Sequence, residues 1–150
     1  MAADVVLVER EFEIAARPET VWPLLVDERK VARWMGVDAA FQARPGGRYR
    51  VEVIPGHTAL GEFLEIDPPR RLVFSWGWES GKPIPPGSST VEFELVPRGE
   101  GTLVRFRHSG LAAAAALTHG RGWDHYLPRL GIAATGADPG TDPWIRGGMQ

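Results

Sequence analysis

Apolar residues change period along this chain, and each change marks an element boundary. Between Val5 and Ile14, Glu9, Glu11 and Glu13 alternate with Val8, Phe12 and Ile14. That period of two belongs to a half-buried strand with a charged solvent face. Arg10 is the odd member of the inner set. Arg17-Pro18-Glu19-Thr20 then opens a helix, because proline suits the first helical position and an acid suits the positive end of the helix dipole. Its apolar residues are Val21, Trp22, Leu24 and Leu25. A second short helix is predicted from about Asp27 to Trp34, with Asp27 as N-cap, Val31 and Trp34 on one face, and Gly36 as the stop.

From Ala39 onward the period is two again. Strands are predicted over Phe41 to Arg44, Tyr49 to Val53, Leu60 to Ile66, Leu72 to Trp78, Val91 to Leu95 and Leu103 to His108. Turns rich in Gly and Pro separate them, and Ser80 to Ser88 forms a longer loop. Six consecutive strands with short connections predict an antiparallel meander. So long a sheet must twist and curl, and its apolar concave face needs a cover. The segment from Leu111 to about Ala134 supplies it, since Trp123, Leu127, Leu130 and Ala134 fall on one helical stripe with Tyr126 beside it. Gly120 and Gly122 lower helix propensity near its start, and Pro128 should bend it. After Gly136 the chain is a Gly- and Pro-rich tail that Trp144 is suited to dock. The pattern divides the chain into one α+β domain over residues 1–136 and a tail over 137–150.

Composition narrows the function classes. A chain of 150 residues can bury a full core without staples. Cysteine is absent, which excludes disulfides, thiolate nucleophiles and cysteine-type zinc sites. The net charge of −2 gives no attraction for nucleic acid or for anionic lipid. Met1 to Val8 lacks the basic and apolar regions of a signal peptide, and no apolar run approaches the roughly 20 residues of a membrane span. A cytoplasmic protein is the expectation. Lys30 and Lys82 are the only lysines, the remaining basic residues being arginine, as in proteins from GC-rich bacterial genomes.

The order of elements and several local motifs carry a resemblance. Glu9-Arg10-Glu11-Phe12 with Ala15-Ala16-Arg17-Pro18 and Val21-Trp22, then Val31-Ala32-Arg33-Trp34-Met35, then Pro45-Gly46-Gly47-Arg48-Tyr49 follow one another. The most specific stretch runs from Gly61 through Glu65-Ile66-Asp67-Pro68-Pro69-Arg70-Arg71-Leu72-Val73-Phe74-Ser75-Trp76, and His119 with Gly122-Trp123 and Leu127 follows it. Over roughly residues 5 to 135 the chain resembles the SRPBCC superfamily, in the branch named after the activator of the heat-shock-protein-90 ATPase and its bacterial stand-alone relatives. The resemblance implies the START-like helix-grip fold, a curved antiparallel sheet wrapped around a long C-terminal helix with two short helices after the first strand. The Ala-rich run 112–116 and Pro128 depart from the family pattern.

Three functions compete. The first is binding of a small apolar molecule between the sheet and the helix. Its candidate wall comprises Trp34, Phe41, Tyr49, Val51 and Phe63 from the first half of the chain. Phe74, Trp76, Trp78, Phe93, Phe106 and His108 continue it along the later strands, and Trp123, Leu127 and Leu130 close it from the helix. By patterning alone a large aromatic core explains these residues as well as a cavity does; the superfamily's ligand carriers favour the cavity. The second is a polyketide cyclase or dehydratase without metal or nucleotide cofactor, in which His108, Arg10 and Tyr49 would meet the substrate. His108 reads equally as a satisfied polar residue at a strand end, and Arg10 as the partner of Glu65, Glu62 or a ligand acid. The third is an interaction domain that stimulates a chaperone ATPase. No nucleophile or phosphate-loop motif is present. His119 and His125 lie six apart rather than four, so no helical metal pair forms. His57 reads as a solvated turn residue. A homodimer is compatible with all three.

Overall fold

The computed structural model describes residues 5–147. Strand β1 (Val5–Ile14) leads into α1 (Pro18–Val26) and a single 3-10 turn (Val31–Arg33), then β2 (Asp38–Phe41), β3 (Arg48–Ile54), β4 (His57–Asp67), β5 (Arg71–Trp76), β6 (Ser89–Arg98), β7 (Gly101–Ala112), α2 (Ala113–Ala134) and α3 (Trp144–Gly147). The second predicted helix is therefore shorter than its pattern suggests. Its N-cap is Lys30, without a side-chain cap bond, and not Asp27, which ends α1 and accepts from the Arg29 N–H at 2.9 Å in the intervening turn. The last strand runs to Ala112, so Leu111 is a buried strand residue and not the first turn of the closing helix. Helix α2 runs as one element through Pro128.

All seven strands form one open antiparallel sheet in the order β1-β7-β6-β5-β4-β3-β2. The six-strand meander is observed, and β1 pairs with its last strand, which places the first and last strands side by side. Irregular register at Val6/Val8, Glu52/Ile54 and Phe63/Glu65 supplies the bends that a curled sheet needs. Gly61 on β4 permits a close approach of β5: a Cβ there would collide with the Ser75 carbonyl oxygen on the neighbouring strand.

The two faces of the sheet differ in kind. On the convex face Arg107 pairs with Glu9, Arg105 with both Glu11 and Glu94, and Arg71 with both Glu92 and Glu65. On the concave face the apolar residues of alternate parity meet the stripe of α2, where Trp123, Leu127, Leu130 and Ala134 are all buried. Arg10 sits at the edge of this inner face and reaches across to α2. It forms a two-point ion pair with Asp124, Nε–Oδ1 at 2.6 Å and Nη2–Oδ2 at 3.1 Å. The partner is neither Glu65 nor Glu62, because β4 lies four strands away from β1. Gly120 accommodates this pair, since a Cβ there would come within 3.2 Å of the Arg10 guanidinium.

The segment after α2 is tied down. The Asp142 carboxylate accepts from the Tyr126 hydroxyl at 2.6 Å and the Trp144 N–H at 2.9 Å, and pairs with His125 Nε2 at 2.7 Å. Burial opposes its charge, but these bonds outweigh burial and hold its carboxyl below the ordinary range. Trp144 stacks on the His125 ring at 3.9 Å, and Arg129 donates to the carbonyls of Trp34, Pro139 and Gly140.

Candidate functional site

The concave face has a filled part and an open part. In the filled part, Tyr49 lies flat on Phe74 at 3.9 Å and on Phe41 at 4.8 Å. Phe63 meets Tyr49 edge-on, and Phe74, Phe93 and Phe106 continue the stack toward α2. Burial raises the Tyr49 hydroxyl far above its ordinary pKa, so it stays protonated.

The open part is a small pocket of about 100 Å³. Trp76 and Trp78 form one wall, and Gly77 between them permits the geometry: a Cβ at Gly77 would strike the Pro85 carbonyl, so glycine lets the 77–88 loop close against the strand end. Trp78 is pinned there by a bridge to Ala59 and by its N–H on the Ile84 carbonyl at 2.9 Å. Thr118, His119, Gly122, Trp123 and Tyr126 of α2 form the facing wall, one helical face. Met35 and Val53 complete the interior, while His57, Lys82 and Pro83 are exposed and mark the mouth.

Hydrogen bonds hold two of the three indoles of this pocket. Trp78 Nε1 donates to His119 Nε2 at 3.1 Å, and His119 Nδ1 lies 2.7 Å from the Ala115 carbonyl. The ring therefore carries its proton on Nδ1 and accepts on Nε2. Trp123 Nε1 donates to His108 Nδ1 at 2.9 Å, which leaves His108 Nε2 to donate to Ser89 Oγ at 2.8 Å. Ser89 Oγ in turn donates a hydrogen bond to the Trp76 carbonyl at 2.8 Å. Both imidazoles are neutral. Burial, with the neighbouring His119, pushes His108 down to about 3, and burial lowers His119 against the opposing bond to Ala115. Trp76 Nε1 is the one buried side-chain polar atom without a partner among the described residues. Its ring is packed edge-to-face with Trp78 and His108.

Of the residues expected to face a ligand, Trp76, Trp78 and Trp123 line this pocket together. His108 stands behind them, with both ring nitrogens engaged. Tyr49, Phe63, Phe74, Phe93 and Phe106 belong to the filled stack, with Phe41 half-buried at its outer edge. Val51 and Leu130 are fully buried in the core. Trp34 donates to the Leu24 carbonyl, and Leu127 lines a separate groove with Arg10 and Phe12 along the β1 edge. Val53 shares the parity of Tyr49 and Val51, a signal sufficient to find it. His119, one turn before Trp123, lines the pocket outside the expected wall, as do the polar residues His57 and Thr118. Met35 and Lys82 enter from a turn and a loop, where periodicity carries no signal.

Residues 15–134 match the model of the family described as activator of Hsp90 ATPase homolog 1-like protein. The solution NMR structure of an AHSA1-like protein from Rhizobium etli is 45% identical, with 94% of this chain and 89% of that one covered and a TM-score of 0.76. The crystal structure of CalU16 from Micromonospora echinospora is 29% identical over 97% of this chain and 89% of that one, with a TM-score of 0.72. DynU16, a protein of the dynemicin biosynthetic locus, is 25% identical over 88% of this chain and 48% of its own, with a TM-score of 0.73. No match was found among curated proteins. With its helix-grip architecture and a family match over most of its length, the chain belongs to the activator of Hsp90 ATPase homolog 1-like family of the START-like superfamily.

Proposed function

We propose that this protein is a binding module for a small apolar molecule, held between Trp76 and Trp78 of the sheet and Trp123 of α2. The observation that carries the reading is the open end of an otherwise filled aromatic face. Trp78 and Trp123, tethered by their own N–H groups, hold a gap there that packing alone would close. Non-catalytic binding fits the polar groups inside: His108 and His119 have both nitrogens committed to protein partners, and Arg10 is paired with Asp124 outside the pocket. A cyclase that used His108, His119 or Arg10 would have to break one of these pairs to move a proton. Stimulation of a chaperone ATPase, which the family description favours, would use an outer surface and leave the pocket unexplained.

The test is a titration of the isotope-labelled protein with 2-naphthol, followed through its indole N–H resonances. Saturable shifts of Trp76, Trp78 and Trp123, with Trp22 and Trp34 unmoved, are expected. Shifts spread evenly over all indoles, or none, would remove the pocket as the binding site.

A further inference from the structure

The mouth of the pocket is electrostatically one-sided. Among the described residues its lining contains no carboxylate, whereas its exposed members include His57 and Lys82. The acid in the same loop as Lys82, Glu79, faces Arg50 at 3.6 Å, and neither Lys82 nor His57 forms a salt bridge within the described residues. The backbone of Lys82 is also fixed. Its N–H donates to the Ser80 hydroxyl at 3.3 Å, which donates to the Lys82 carbonyl at 3.1 Å, and the Gly81 N–H closes the turn on the Trp78 carbonyl at 2.7 Å. The lysine is thereby rooted four residues from Trp78, directly after the turn that Gly81 closes on the Trp78 carbonyl.

Resting on the binding role proposed above, we infer that the ligand is an amphipathic carboxylic acid, its apolar body among the tryptophans and its carboxylate at the mouth against Lys82 and His57. Interior placement of the anion would strip its hydration and offer in return one unpaired neutral donor, Trp76 Nε1, since both buried histidines are engaged. At the mouth the carboxylate keeps part of its water and gains a cation. An organic cation would meet the lysine and no acid. Because the cation is exposed, the attraction is modest and sensitive to salt.

The experiment compares 2-naphthoate with 2-naphthamide, which share ring and shape and differ in charge, against the full chain at neutral pH and low salt. Both should shift the indole resonances of Trp76, Trp78 and Trp123, and naphthoate should bind roughly fivefold more tightly. That advantage should vanish in the Lys82→Gln, His57→Gln double variant and shrink in about 1 M salt. Equal or tighter binding of the amide would overturn the inference while leaving the binding role intact. An acid preference that survives in the double variant would do the same. If neither probe moves the indoles, the binding role itself fails and the inference falls with it.

Discussion

At one end of the concave face Tyr49 and Phe74 lie flat on each other at 3.9 Å, in a stack that runs on through Phe93 and Phe106. At the other end Trp76 meets Trp78 at 5.6 Å and Trp123 at 5.2 Å, tilted or edge-on, beside a pocket. Both ends are aromatic. They differ in what positions the rings. Phenylalanines have only packing to hold them and settle where contact is greatest. Trp78 and Trp123 are also held by directed bonds to His119 and His108. A buried indole N–H left unpaired costs about 1–3 kcal/mol, enough to keep a ring in a place that does not maximise contact. Polar tethers can therefore preserve an opening in a core.

The largest expected effect separates the ends directly. Phe74→Ala in the filled end should cost roughly 3–5 kcal/mol of stability in chemical denaturation, because it removes a ring from a close-packed stack. Trp78→Phe at the open end keeps an aromatic ring but removes the tether and part of the indole beside space that is already open, and should cost less, about 1–2 kcal/mol. Equal losses for the two variants would mean that the ends do not differ in packing.

Acid should attack the open end first. Both buried histidines have folded pKa values below the ordinary 6.5, so the unfolded chain takes up protons that the folded chain refuses. Stability is then complete above about pH 6.5 and falls as pH decreases, for each histidine by at most roughly 1.4 kcal/mol per pH unit and only while its folded form stays neutral. For His108 the fall continues toward its folded value of about 3. Asp142, whose pKa is also lowered, adds its own loss only below the ordinary carboxylate range. Denaturation midpoints that stay level from pH 6.5 to 4.5 would contradict the neutral tethers.

The convex face should matter least. Arg105, bridging Glu11 and Glu94, is about half exposed at 54%, and Arg105→Ala should cost less than about 1 kcal/mol. A loss comparable to Phe74→Ala would place the stability of the sheet in its charges and not in its aromatic face.

Much of this architecture was legible in the sequence because hydrophobic period reports which face of an element is buried. The alternation from Tyr49 to His108 gave the meander, and the stripe from Trp123 to Ala134 gave its cover. What the period cannot report is which buried residues touch. Arg10 was legible as an inner-face cation, yet its partner Asp124 depended on where α2 crosses the sheet edge. Trp76 and Phe74 share one parity on one strand, but one borders the pocket and the other is locked in the stack. That difference arises from the loop that Gly77 admits and from a histidine one helical turn before Trp123. The polar grip of Asp142 on Tyr126 and His125 was invisible for a similar reason: it joins a Gly- and Pro-rich segment without period to α2.

Gly122 offers the most direct test that the open end is a binding pocket. It lies in α2, lines the pocket, and a Cβ added there meets nothing within 4 Å. Gly122→Leu should therefore enter the pocket without strain and remove the entropic cost of a helical glycine, which is about 0.8–1 kcal/mol relative to alanine. The measurement pairs thermal denaturation with 2-naphthol titration of the indole resonances. Melting temperature held or raised, together with loss of the naphthol-induced shifts at Trp76, Trp78 and Trp123, is the expected result. A marked fall in melting temperature would mean that no space exists beside Gly122, and undiminished naphthol binding in a stable variant would mean that the ligand sits elsewhere.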